Sequence, residues 1–90
     1  MFCHNDLIAV GVYRALRRAG LRVPEDVAVM GFDGLDEVRY LESPLTTMAC
    51  STETMCRTAL EMLLRRISGD RETPPRQITL PTPLVLGGTT

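Results

Sequence analysis

Histidine occurs once, at His4, and the chain holds neither a Cys-x-x-Cys pair nor a Gly-x-Ser-x-Gly elbow. A serine or cysteine nucleophile would need that one histidine as base plus an oriented third group, so hydrolytic catalysis has no support and no catalytic residue is assigned. His4 beside Cys3 has no second histidine to complete a ligand set, so no metal site is assigned; no cofactor loop is visible, and no cofactor is expected. Net positive charge is missing too: ten Lys and Arg against eleven Asp and Glu give a formal charge of -1. Without a positive field to release counterions from phosphates, these residues are not expected to grip DNA. The start lacks a basic n-region, and no segment reaches the ~20 apolar residues of a membrane span, which reads as a cytoplasmic protein with no membrane partner. Cys3, Cys50 and Cys56 are odd in number and at no zinc-finger spacing, as for reduced, partly buried thiols rather than a disulfide framework.

What is present is globular in character, with 44% apolar and 23% charged residues over 90 positions. A domain of that length buries only ~60% of its unfolded surface, so there is room for one domain and not two. Ile8, Val12, Ala15, Leu16 and Ala19 fall on one face of a helix running from Asp6 to about Ala19. Asn5 suits its N-cap, Asp6 the positive end of its dipole, and Arg14, Arg17 and Arg18 its negative end, with Gly20 at the left-handed C-terminal position. Leu7, Val10 and Tyr13 lie off that stripe, a wider apolar surface than one sheet face requires. Val27 to Phe32 is a continuous apolar run rich in strand formers, as in a parallel strand buried on both faces. With Met1–Cys3 as the tail of a strand that looks cut short, strand, helix and strand form a crossover unit. A short loop or helix follows around Asp36–Leu41, and Pro44–Met48 reads as a short strand. Ser51 or Thr52 caps a second helix over 52–68, ending at Arg65, Arg66 and Gly69, whose methionines and leucines are expected to face a core. Ile78 and Leu80 alternate with polar residues as a late or edge strand, and Leu84–Leu86 precedes a flexible tail.

In open α/β sheets ligands bind at the carboxyl ends of the strands. Asn5 follows the first candidate strand and Asp33 the second, so both fall at one end of the sheet. An ionised Asp33 accepts two hydrogen bonds from hydroxyls, and the Asn5 amide both donates and accepts, which suits a polyol or sugar. Equally, Asn5 and Asp6 can serve only as helix caps and Asp33–Gly34 only as a turn; local chemistry leaves both open. Arg14, Arg17, Arg18 and Arg22 read as a solvated, dipole-serving group rather than a nucleic-acid contact.

The order of segments is more specific than any one of them. His4-Asn5-Asp6-Leu7-Ile8-Ala9-Val10-Gly11, then Ala15 to Val27 with Gly20-Leu21-Arg22-Val23-Pro24-Glu25-Asp26, then Val29-Met30-Gly31-Phe32-Asp33, Arg39-Tyr40-Leu41, Pro44-Leu45-Thr46-Thr47 and Leu80-Pro81 closely resemble the LacI/GalR family of transcriptional regulators. The resemblance covers essentially the whole chain. It implies an α/β fold: part of a periplasmic-binding-protein-like type I domain, a parallel sheet flanked by helices, incomplete here. Residues 1–44 and 73–90 would be pieces of the C-terminal subdomain, and 45–72 would cross into the N-terminal one. The DNA-binding helix-turn-helix domain is absent, so operator DNA would be met only through a missing N-terminal domain. Asp33 matches the position whose carboxylate typically meets effector hydroxyls, and Asn5 a cleft-facing position. Val10, Arg14, Tyr40 and Leu41 match the family's dimer contact, implying a homodimer alongside a small-molecule effector of sugar or nucleobase type. At Ala49-Cys50-Ser51 the sequence departs from many relatives, which weakens any inference about hydrogen bonds at the crossing. The alternatives are a sugar-binding protein of a transport system, and a remnant acting only in self-association.

Overall fold

The computed structural model describes all 90 residues, Met1–Thr90. They divide into two compact units, Met1–Ala49 with Thr82–Thr90, and Cys50–Pro81. The division falls after Ala49 and before Thr82. The segment 46–49 stays with the first unit because it pairs with the preceding strand.

In the first unit, helix α1 spans Asp6–Arg18 and is capped as the sequence suggests: the Asn5 side chain accepts from the Ile8 amide at 2.8 Å, and Gly20 has φ +76°. Its buried face is not the one expected. Asp6, Ala9 and Tyr13 are buried, whereas Ile8 is 49% exposed and Ala15 and Ala19 are also exposed. In this rotation the Asp6 carboxylate reaches three donors from other elements. Ala9, wholly buried, is small enough to let the helix approach the sheet closely.

Strand β1 is Met30–Asp33, β2 is Thr46–Ala49 and β3 is Leu84–Val85, in the order β1-β2-β3. β1 and β2 are parallel, pairing Met30 with Thr46 and Asp33 with Ala49; β3 lies antiparallel to β2, pairing Val85 with Thr47. Phe2 bridges Met30 in parallel, with Cys3 N donating to Met30 O at 2.7 Å and Met30 N to Met1 O at 2.9 Å. The crossover from residues 1–3 through α1 to β1 is therefore present. β1 begins later than Val27 because the Asp26 and Val27 amides are spent on the Arg22 carbonyl in a turn. A short 3-10 helix, Asp36–Tyr40, joins β1 towards β2.

The sheet is mixed rather than wholly parallel, and the late strand sits at Leu84–Val85, not at Ile78–Leu80. Pro81 and Pro83 have no amide to donate, so pairing starts beyond them, although the Pro83 carbonyl accepts from Ala49 N at 2.8 Å. Nor is the tail loose. Thr89 is fully buried, its hydroxyl accepting from Thr46 N at 2.9 Å and its carbonyl from Val29 N at 2.8 Å. Gly87 N donates to the Thr46 hydroxyl at 2.9 Å and Gly88 N to Pro44 O at 2.7 Å. The core is aliphatic with one aromatic ring: Cys3, Ala9, Tyr13, Val23, Val29, Val38 and Leu45, flanked by half-buried Val10, Val12, Leu16, Val27, Leu35 and Leu41.

The second unit consists of helix α2, Thr52–Ile67, and the segment to Pro81. The Ser51 hydroxyl accepts from Thr54 N at 3.2 Å, and Arg65 and Arg66 lie in the last turn, before Gly69 at φ +99°. The expected core-facing stripe is not buried. No residue of α2 is, and Leu60, Leu63, Leu64 and Ile67 are 51–70% exposed.

Candidate functional site

β1 ends at Asp33, whose backbone has φ +120°, followed by Gly34 at +77°. A non-glycine residue in that region costs of order 1–3 kcal/mol, and such strain persists only where the surroundings fix it. The surroundings here are specific. Asp6 is fully buried, and its Oδ2 accepts from the Gly34 amide at 2.9 Å and the Leu35 amide at 2.8 Å. Its Oδ1 accepts from the Thr47 hydroxyl at 2.6 Å. One carboxylate thus ties the first turn of α1, the turn after β1, and β2. Gly34 is required twice over, by its φ and because an added Cβ would stand 2.7 Å from Ala49 Cα.

The Asp33 side chain is exposed beside this turn, and Asn5 is half-buried at the α1 N-terminus. The bonds from Asp6, next to Asn5, to Gly34, next to Asp33, bring the two sequence-predicted residues to the same end of the sheet. The Asn5 oxygen is engaged as the N-cap, which leaves its amide nitrogen as the group with hydrogen bonds still to give. A small cavity behind the turn, lined by Gly34, Leu35, Val38 and Thr47 and not by Asp33 or Asn5, holds about 20 Å³, room for about one water. Hydroxyl-bearing ligands fit the chemistry of an exposed carboxylate and a free amide donor on rigid supports.

Of the other four predicted residues, Val10 and Leu41 pack half-buried against the core, while Arg14 and Tyr40 are exposed, Tyr40 by 87%. Sequence reasoning missed the part played by Asp6 and Thr47. Asp6 was legible only as a favourable charge at a helix start, and Thr47 only as a strand former; nothing in local spacing tells that they meet.

The second unit has a larger cavity of about 500 Å³, walled by Met62, Leu63 and Pro74 and edged by Arg65, Arg66, Arg71 and Arg76. Asp70, on its rim, is held below the usual carboxylate range by hydrogen bonds from the Thr73 hydroxyl and amide, with Arg66 and Arg65 adding to the effect. No helix is long and apolar enough to cross a membrane.

The profile of the periplasmic binding protein-like domain matches residues 1–90. The HTH-type transcriptional repressor MelR of Bacillus subtilis (strain 168) is 42% identical over 85 residues, 94% of this chain and 24% of that protein. A LacI family transcriptional regulator from Arthrobacter sp. FB24, solved in complex with lactose, superposes with a TM-score of 0.86 at 42% identity, over 99% of this chain and 33% of that one. A LacI family regulator from Enterococcus faecalis V583, solved with bound ribose, gives a TM-score of 0.93 at 37% identity over 99% and 33%. The chain spans about a quarter of the length of the curated relatives it matches. On the match along its full length, the strand–helix–strand unit and the likeness to those structures, the chain belongs to the periplasmic binding protein-like domain family, in the form carried by LacI-type transcriptional regulators.

Proposed function

We propose that the chain is the C-terminal portion of the effector-binding and dimerisation domain of a cytoplasmic, non-enzymatic LacI-type regulator, and that it binds a sugar-type effector. Asp33 accepts hydrogen bonds from effector hydroxyls, and Asn5 donates one from its amide nitrogen. The observation that carries this reading is the strained, exposed Asp33, locked at the carboxyl end of a parallel strand beside a helix N-terminus. Sugars bound to structurally similar regulators support the ligand class. On the same reading Met1–Ala49 with Thr82–Thr90 belongs to the C-terminal subdomain and Cys50–Pro81 to the N-terminal one. Val10, Arg14, Tyr40 and Leu41 form the contact with a second copy, and operator DNA is met by a separate N-terminal domain. Effector binding would bias a two-state arrangement of subdomains by its differential affinity for the two.

The test is calorimetric titration of the whole regulator with lactose and with D-ribose, before and after Asp33→Ala. Loss of a charged acceptor is expected to weaken binding by about tenfold to a hundredfold. Unchanged affinity in a folded Asp33→Ala protein would remove the assignment.

A further inference from the structure

We infer that Asp6 is a positioning residue of the effector site: its buried carboxylate holds the Asp33–Gly34 turn in the one conformation that presents Asp33 to a hydroxylated ligand. This rests on the reading of Asp33 as the effector contact.

Asp6 is wholly inaccessible and pairs with no cation. Burying an uncompensated carboxylate is costly, and joining a helix to a sheet needs only apolar packing. What a carboxylate adds is a set of acceptors. Oδ2 takes both amides that follow Asp33, those of Gly34 and Leu35, and Oδ1 takes the Thr47 hydroxyl, which keeps the carboxylate plane from turning away. The first turn of α1, with its free amides, offsets the remaining charge. β1 is cut back to glycine where the carboxylate enters: a Cβ at Gly31 would overlap Asp6 Oδ1 and stand 2.9 Å from Leu45 Cδ2. Two amides fixed immediately after Asp33 leave its φ of +120° no route to relax. Asp6 therefore acts through the backbone of its neighbours, without touching ligand.

The variants are Asp6→Ala, Asp6→Asn and Thr47→Val, with Asp33→Ala as the control for the site itself. An asparagine can still offer its oxygen to the two amides while its nitrogen donates to the Thr47 hydroxyl, so it serves as the conservative rescue. Affinity for lactose and D-ribose is measured by calorimetry on the whole regulator, at a temperature where circular dichroism shows each variant fully folded. Amide hydrogen exchange is followed in the 90-residue chain. Asp6→Ala is expected to weaken binding about tenfold and Thr47→Val about threefold, while Asp6→Asn stays within about threefold of the parent. Exchange at Gly34 and Leu35 should rise selectively in Asp6→Ala and Thr47→Val, with Ala9 and Tyr13 in α1 unchanged. A merely structural Asp6 would lower the melting temperature and leave the affinity of the folded protein alone. If Asp33→Ala weakens binding while folded Asp6→Ala and Thr47→Val match the parent, the positioning role is overturned and the effector site stands. If Asp6→Ala does not fold, Thr47→Val decides by the same two readouts. If Asp33→Ala is silent, or neither sugar binds the parent, the effector reading fails and this inference with it.

Discussion

Asp33 pays a conformational cost that glycine would not, because φ of +120° is open to a residue without Cβ and strained for any other. Asp33→Gly is therefore expected to raise stability by about 1 kcal/mol in urea denaturation and, on the proposed reading of Asp33, to weaken sugar binding to the extent expected of Asp33→Ala. A fall in stability would mean that the side chain, not the ligand, justifies the strain. Two other carboxylates are shifted by their neighbours. Asp70 lies below the usual range through Thr73, and Asp26 through the Arg22 guanidinium and amide. A carboxylate lowered in the folded state contributes stability that is present above its unfolded pKa of about 3.9 and is lost as pH falls through the folded value. The Thr73 and Arg22 amide resonances are accordingly expected to hold steady down to about pH 4 and to move only below it. Movement centred well above that would reverse the sign. At this scale the sequence was informative where a residue's role follows from its place in an element. Asn5 as a cap and Asp33 at a strand's end are of that kind. It was silent on Asp6, whose role depends on Gly34, Leu35 and Thr47, 28 to 41 residues away.

Helix α1 and the parallel pair β1–β2 were readable as elements because periodicity, capping residues and β-branched runs agree there. The side of α1 that turns inward was not, since a hydrophobic stripe places Ile8 and Ala15 inside and cannot anticipate a charged side chain drawn into the core. The late strand was misplaced for a related reason. Ile78 and Leu80 alternate properly, but a strand also needs a partner with free amides and carbonyls, and β2 finds it at Leu84–Val85. α2 was legible in its bounds and not in its environment. With no buried residue, its hydrogen bonds depend on Ser51, the Arg57–Glu53 pair and its own propensity, and exposed pairs of that kind add little. Its amides are expected to exchange with solvent orders of magnitude faster than those of α1 in the 90-residue chain. Equal protection in the two helices would show that α2 gains stability from contacts this chain makes in solution.

For the molecule as a whole, burial is concentrated in Met1–Ala49 with Thr82–Thr90, where seven apolar residues form the core. A core that small supplies a few kcal/mol at most, so other surfaces matter for its persistence. Tyr40 is 87% exposed, and Leu7 and Phe2 are 70% and 65% exposed. If Tyr40 with Val10, Arg14 and Leu41 meets a second copy, sedimentation of the chain should give a mass near twice 10.0 kDa, and Tyr40→Asp should return it to the monomer. A monomeric parent chain, or a variant that still pairs, would place the contact elsewhere. The family was legible from segment order alone, because each segment keeps its distance from the next. The reach of α2's exposed face was not, since nothing in its apolar spacing says what lies opposite.

Gly31 and Asp6 occupy one volume between them: the oxygen of one fills the place where the other's first carbon would go. Position 31 cannot then gain a side chain while the carboxylate stands. An alanine at 31 would meet that oxygen first and, with the oxygen gone, still the Leu45 side chain at 2.9 Å and the Asp6 backbone at 3.2 Å, so shortening position 6 does not by itself make room for it. Changes at the two positions are accordingly expected not to add, and the glycine is fenced by its packing as well as by the carboxylate.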